Sequence, residues 1–217
     1  MTYPTEIYKQ LIDHDSLKQI RESIDEHLLN PDKTVAFDYG TYYSVGEKAE
    51  TILRSFLPKL PNEELSFFLL ESTYPPHPHR DRHFIVGRTY IVPFEPCDPD
   101  SVTTIVFNEV QTLHETNDEF FANAPDVESN ISPEFRDQHL RHVPDDRITK
   151  LSIETIFPYV LGDVVAFDSS KVHCSNYYLS QNVAKKRGIL VWSNIKEEGR
   201  DSPNLWNDET KSSDMPE

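Results

Sequence analysis

Apolar residues in the first quarter of the chain recur at helical spacing. A helix is predicted over residues 15–29, where Asp15 or Ser16 can cap the start and Pro31 follows the end. Its apolar positions, spaced by three or four residues, are Leu17, Ile20, Ile24 and Leu28. A second helix is predicted from Ser44 to Pro58, after a Tyr-rich turn at residues 39–43. Both helices are expected to pack on the outside of a sheet.

From Leu65 onward the pattern changes to short apolar and β-branched runs, which are typical of strands. The run at residues 65–70 is apolar throughout, as expected for a strand buried on both faces. Further strands are predicted at residues 88–94, 102–108, 151–157, 164–167 and 188–193. Helices followed by about eight short strands indicate a mainly β domain, a barrel or sandwich flanked by N-terminal helices.

One long polar segment interrupts the strands. Residues 111–150 are rich in Asp, Glu, Asn and Pro, and an insertion of this length in a compact domain is typical of a lid or a mobile loop. The expected organisation is N-terminal helices in residues 1–60, a β core in residues 61–197 that contains the insertion, and a polar tail in residues 198–217.

The composition narrows the class of protein. The 217 residues carry a formal net charge of −16, which disfavours binding to nucleic acid and to anionic membrane surfaces. Cys97 and Cys174 are the only cysteines, too few for a disulfide framework. The sequence has neither an N-terminal apolar signal region nor an apolar run of about 18 residues, so a cytoplasmic protein is expected.

The candidate chemistry lies in a His-rich segment. His79 and Asp81 are two residues apart, so on a strand both side chains point to the same side and can reach one metal ion. His173 is the candidate third ligand, and two His with one carboxylate form the facial triad that suits oxygen chemistry at ferrous iron. His77 competes with His79 for the same role, because a His77-x-His79 pair has the same spacing. His83 is expected in a solvated turn.

This order of residues resembles the iron(II)/2-oxoglutarate-dependent dioxygenases. His79-x-Asp81, then His173, then a basic residue on the next strand follows the pattern of that family, and residues 162–168 are similar to its strand before the distal histidine. The resemblance covers roughly residues 65–195. It implies a double-stranded β-helix, or jelly-roll, in which ferrous iron is held by the triad and 2-oxoglutarate and O2 are consumed. The carboxylate of Asp81 favours a hydroxylase over the family's halogenases, which have a small residue at that position.

The distal carboxylate of 2-oxoglutarate needs a cation inside the barrel. Arg187 shares strand parity with Ile189 and Val191, so if these two face the interior, Arg187 does as well. Lys186 is the alternative, and the hydroxyl of Tyr90 can bind the same carboxylate.

The sequence therefore predicts a dioxygenase that hydroxylates a C–H bond of a small molecule, an amino acid or a peptide, with release of succinate and CO2. Two alternatives remain open at this stage. One is a cupin-type metalloenzyme that does not use 2-oxoglutarate, and the other is a jelly-roll binding module without catalytic activity.

Overall fold

The computed structural model describes residues 3–32, 34–37, 39–58, 63–81, 87–95, 98, 101–112 and 115–195. Cys97, His83, His114 and the predicted tail at residues 198–217 lie outside these ranges, and the expectations for them remain predictions.

Two helices precede the main β region, as predicted. They are α1 (His14–Leu28) and α2 (Glu47–Phe56). The first begins earlier than expected because Asp13 is its cap: the Asp13 carboxylate accepts a hydrogen bond from the backbone N–H of Ser16 at 2.9 Å. Within the described ranges, no helix combines the length and the apolar character needed to cross a membrane.

Ten strands in the described residues form two antiparallel sheets. The strands are β1 (Glu6–Tyr8), β2 (Thr34–Phe37), β3 (Gly40–Ser44), β4 (Glu63–Ser72), β5 (Arg88–Pro93), β6 (Thr103–Val110), β7 (Ile153–Pro158), β8 (Val164–Asp168), β9 (Lys171–Ser175) and β10 (Lys186–Ile195). The predicted Tyr-rich turn is wrong, because its residues form strand β3.

The large sheet has the order β1-β8-β5-β10-β4-β3-β2, and the small sheet has the order β7-β6-β9. His79 extends the small sheet by one bridge to His173 on β9. The chain passes from β4 in the large sheet to His79 in the small sheet, back to β5, and then through β6 and β7 to β8, β9 and β10. This repeated exchange between two facing sheets is the winding of a double-stranded β-helix.

Three apolar layers follow from the strand alternation. The first lies between the helices and the outer face of the large sheet, and includes Ile20, Leu53, Leu69, Ile189 and Val191. The second fills the space between the sheets, with Phe68, Val106, Phe157, Leu190 and Trp192. Alternate residues of β10 therefore belong to different layers, one outside the barrel and one inside it.

The insertion at residues 111–150 forms the third layer, on the outer face of the small sheet. It contains α3 (Asn117–Asn123), α4 (Pro133–Phe135), a π-helical turn (Arg136–Leu140) and α5 (Asp145–Ile148). Its side chains pack against Ile105, Phe107 and Val172 of the sheet. The apolar members contributed by the insertion include Phe120, Phe121, Leu140, Val143 and Ile148. The small sheet is thus covered on both faces.

Candidate metal centre

Three predicted ligands lie together at one end of the barrel interior. The ligand atoms of His79, Asp81 and His173 are all within 4.8 Å of one another. Within the described residues, this is the one group of three or more His, Cys, Asp or Glu side chains close enough to share a metal ion. His77, the competing candidate, is not part of the group.

The backbone holds the two histidines opposite each other. The N–H of His79 donates to the carbonyl of His173 at 3.0 Å, and the N–H of His173 donates to the carbonyl of His79 at 2.8 Å. Their ring centroids are 4.7 Å apart. This pairing belongs to the sheet, and it fixes the backbones of the two histidines relative to each other.

Hydrogen bonds to backbone carbonyls orient both rings. His79 Nδ1 lies 2.7 Å from the carbonyl oxygen of His77, and His173 Nδ1 lies 3.1 Å from that of Lys171. A carbonyl can only accept, so each Nδ1 carries the proton and donates it, which leaves each Nε2 with a free lone pair. This carbonyl support is typical of histidines that bind metals.

Asp81 is fixed through both its side chain and its main chain. The Thr89 hydroxyl donates to Oδ2 of Asp81, and Arg80 Nε donates to the Asp81 carbonyl at 2.9 Å. Arg80 also donates to the carbonyls of Gln111 and Thr112, at 3.1 and 2.7 Å, which connects this segment to the start of the insertion. The carboxylate therefore has little freedom to turn away from the histidines.

Burial is the main influence on the protonation states of His79, Asp81 and His173. It lowers the pKa of His79 and of His173 to about 4, so both imidazoles are neutral at physiological pH. Burial also raises the pKa of Asp81, and the hydrogen bond from Thr89 is the largest opposing effect. Two neutral imidazoles and one buried carboxylate form the donor set of the facial triad, and the residues present therefore fit ferrous iron.

The predicted cation for 2-oxoglutarate, Arg187, lies on the outer face of β10, and its role as the anchor stays a prediction. Arg187, like Ile189 and Val191, points out of the barrel, where it pairs with Glu71 at 3.2 Å and Glu95 at 2.7 Å. Tyr90 is also in the outer layer, and its hydroxyl donates to the carbonyl of Pro58. The parity argument was sound, but its premise was wrong, because Ile189 and Val191 face the helices.

Lys186 occupies the interior position instead. Its side chain is buried, with the residue 7% exposed, and its Nζ lies 3.1 Å from Ser175 Oγ and 3.4 Å from Thr104 Oγ1. The ammonium group also lies 4.5 Å from the centroid of the Tyr159 ring. Among the described residues it forms no ion pair, and a buried cation without a counter-charge is costly. An organic carboxylate would supply that charge.

The backbone of β10 lies close to Tyr159 beside this lysine. Gly188 points to the same side, and a Cβ at this position would lie only 3.2 Å from the hydroxyl oxygen of Tyr159. A cavity of about 260 Å³ adjoins Lys186, and its wall includes Tyr159, Lys186 and also Arg187 with its partner Glu95. Sequence reasoning missed Thr104, Ser175 and Tyr159. Thr104 and Ser175 meet through the pairing of β6 with β9, and Lys186 reaches Ser175 and Tyr159 through the packing of the two sheets, neither of which is visible in the local sequence.

Searches against models of known families and against curated proteins returned no match. Solved structures do match: the non-heme alpha-ketoglutarate-dependent epimerase SnoN from nogalamycin biosynthesis has a TM-score of 0.55 at 10% identity, covering 88% of this chain and 76% of that one. The carbocyclase SnoK of the same biosynthesis has a TM-score of 0.55 at 12% identity, covering 87% and 78%. At such identities the likeness shows the fold, and the predicted jelly-roll of the 2-oxoglutarate oxygenases is confirmed.

Proposed function

We propose that this protein is an iron(II)- and 2-oxoglutarate-dependent dioxygenase that hydroxylates a C–H bond of a small-molecule, amino-acid or peptide substrate. The observation that carries the proposal is a pair of features in one barrel. A His-Asp-His donor set, in which Asp81 and His173 are buried and His79 is partly buried, lies at one position. Lys186, a buried cation that has no counter-charge among the described residues, contacts β9, the strand that carries His173. A metal and a dicarboxylate together satisfy both features.

The roles of the residues follow from their positions. His79, Asp81 and His173 hold the iron through two Nε2 atoms and one carboxylate oxygen. Lys186 binds the distal carboxylate of 2-oxoglutarate, assisted by the hydroxyl groups of Thr104, Ser175 and Tyr159. When bound, iron and 2-oxoglutarate supply the activation of O2, with conversion of the co-substrate into succinate and CO2.

The chain's own residues prepare this chemistry. Neutral His79 and His173 require no proton to leave before a metal binds, and Thr89 keeps the Asp81 carboxylate oriented. The apolar side chains between the sheets keep water away from the buried interior, which strengthens the attraction between Lys186 and a carboxylate. SnoN and SnoK are described as an epimerase and a carbocyclase, and SnoN has been solved with Fe3+ and alpha-ketoglutarate. Hydroxylation is proposed here because Asp81 completes the triad. A cytoplasmic location stays a prediction from the sequence.

The test is an anaerobic titration of the metal-free protein with ferrous iron and then with 2-oxoglutarate, followed by visible absorption. We expect a weak charge-transfer band that needs both additions and is lost in His173→Ala. Admission of O2 should then yield succinate, and with a substrate a product that has gained one oxygen atom. Iron binding without the band would favour a cupin-type enzyme, and no iron binding would favour a binding module; either result refutes the proposal.

A further inference from the structure

His142, near the end of the insertion, is a buried histidine with unused hydrogen-bonding capacity. The residue is 8% exposed, and among the described residues neither its Nδ1 nor its Nε2 has a hydrogen-bond partner of good geometry. The backbone of Pro76 is close enough to raise the pKa of the ring, but by less than burial lowers it. Leaving a buried polar group unsatisfied is costly, so such groups are rare and need an explanation. This side chain belongs neither to the group of His79, Asp81 and His173 nor to the side chains around Lys186.

Neighbouring side chains fix the orientation of the His142 ring. It stacks on Tyr177, with centroids 5.7 Å apart and an interplanar angle of 24°. The guanidinium carbon of Arg141 lies 4.5 Å from the centroid of the Tyr177 ring, and the N–H of Tyr177 donates to the carbonyl of His139 at 2.6 Å. The imidazole is therefore held in place before any ligand arrives, which lowers the entropic cost of binding.

The position of His142 relates it to the metal ligands. Its ring centroid lies 6.4 Å from that of His77, and the carbonyl of His77 accepts the hydrogen bond that orients His79. His142 thus borders the segment that carries two of the three ligands. The ring centroid of Tyr74 lies 6.4 Å from that of Tyr177, in an edge-on arrangement. Because Tyr74 is 39% exposed, the group of rings formed by His142, Tyr177 and Tyr74 extends to the surface.

The charge state of the ring limits what it can bind. Burial lowers the pKa of His142 to about 4, so the imidazole is neutral and offers one N–H donor and one acceptor nitrogen. A neutral donor–acceptor pair is matched by hydroxyl or amide groups. A carboxylate or phosphate group would instead be bound by a cation such as Arg.

We propose that His142 binds an uncharged hydroxyl- or amide-bearing part of the substrate and orients it toward the metal centre. This inference rests on the proposed function, and it assigns a substrate-binding role to the insertion. The substrate class is then a neutral polar molecule that enters past Tyr74 and Tyr177.

The test uses metal-free protein labelled with 15N-histidine, in which the ring nitrogen resonances of His142 are identified by their absence in His142→Phe. Methyl α-glucopyranoside provides hydroxyl groups, N-acetylprolinamide provides amides, and sodium benzoate is the charged comparison. We expect one of the two neutral probes to shift both ring nitrogens in a saturable manner. Which of the two binds distinguishes a hydroxyl-bearing from an amide-bearing substrate.

Variants of His142 separate its nitrogen atoms from its ring. His142→Phe keeps an aromatic ring on Tyr177. It should lower the affinity for the neutral probe at least about fivefold, because one hydrogen bond is lost. His142→Gln, which retains a donor and an acceptor, should recover part of that affinity. The matched control is His139→Phe, because His139 also packs on an aromatic ring of the insertion, Phe135 at 4.6 Å, and it should bind the probe as the wild type does.

Three results would overturn the inference: neither neutral probe moves the His142 resonances, only benzoate does so, or His142→Phe binds the neutral probe as tightly as the wild type. The measurement needs no metal and no 2-oxoglutarate. Its failure is therefore distinct from a failure of the proposed function, which would appear as a missing charge-transfer band.

Discussion

Ser175 Oγ lies 3.1 Å from the Nζ of Lys186, so these two side chains span the barrel interior from the small sheet to the large one. Ser175 follows His173 on β9 by two residues, which places its side chain on the same face of the strand. The lysine is thereby brought next to the strand that carries His173, one of the proposed metal ligands. Arg187, one residue further along β10, points away from the barrel interior.

The first prediction separates Lys186 from Arg187. Lys186→Ala should lower the affinity for 2-oxoglutarate at least about tenfold, because a charge-assisted hydrogen bond is worth about 1.5–3 kcal/mol. Arg187→Ala should leave that affinity unchanged and lower stability slightly through the loss of its ion pairs with Glu71 and Glu95. Anaerobic titration of the charge-transfer band measures both affinities. The opposite pattern would return the anchoring role to Arg187.

The second prediction concerns the support of Asp81. Thr89→Val removes the hydroxyl that donates to the Asp81 carboxylate, and iron affinity should fall about 10- to 100-fold, as for other groups that orient metal ligands. Thr103→Val is the matched control, since the hydroxyl of this buried strand threonine has no hydrogen-bond partner in the part of the chain that the structure describes. Competition with a metal-sensitive dye gives both affinities. Equal iron binding by the two variants would contradict a supporting role for Thr89.

The third prediction concerns pH and stability. An unfolded histidine takes up a proton below about pH 6.5, whereas folded His142 stays neutral down to about 4. Between these values the unfolded chain binds more protons, so the free energy of unfolding rises with pH across this window and levels off above it. His79 and His173 act in the same direction, and the raised pKa of Asp81 acts against them.

His142→Phe isolates one of these contributions. The difference in unfolding free energy between pH 7 and pH 5 should shrink by about 2 kcal/mol in this variant, since each unit of pKa shift is worth about 1.4 kcal/mol. Urea unfolding of the metal-free protein at the two pH values measures it. An unchanged difference would mean that His142 is protonated in the folded protein at pH 5.

The fourth prediction concerns the insertion, which packs as a cover on the small sheet. Phe121 is 6% exposed within that layer, and Phe121→Ala should cost about 3 kcal/mol of stability. Leu29→Ala is the control, because Leu29 is 87% exposed. Iron and 2-oxoglutarate affinities, measured where Phe121→Ala is still folded, should not change. A stability loss below about 1 kcal/mol would show that the cover contributes little to the fold.

A role of the insertion as a lid or substrate-selecting loop remains a prediction. Deleting residues 111–150 is a poor test of it, because the deletion would expose the outer face of the small sheet at Ile105, Phe107 and Val172. A loss of turnover after deletion could then reflect unfolding. Point substitutions such as His142→Phe test the same idea in a folded protein.

The sequence predicted the fold well where its pattern was unambiguous. Alternation, β-branched runs and turn residues located six strands of the barrel core to within a few residues, but the short strand β9, which carries His173, was not predicted. The sequence correctly placed His79 and Asp81 next to each other, because their two-residue spacing is a local property of one segment. His173 was found because it follows an apolar strand, although it lies within β9 and not beyond a strand end.

The face of β10 could not be determined in the same way. Ile189, Leu190, Val191 and Trp192 are all apolar, since this central strand is covered by helices on one side and by the small sheet on the other. Such a strand carries no polar face to mark the outside. Tertiary packing determines which of Lys186 and Arg187 faces the barrel interior, and the local sequence carries no signal for it.

The pairing of His79 with His173 closes a long stretch of chain into a loop that contains the whole insertion. The entropic cost of closing such a loop grows only slowly with its length, so adding or removing residues within 111–150 changes that cost little. Residues can therefore be added or removed in those parts of the insertion that do not pack against the small sheet, while both histidines keep their places. The length of the connecting segment can thus vary, whereas the backbone pairing of His79 with His173 must stay constant.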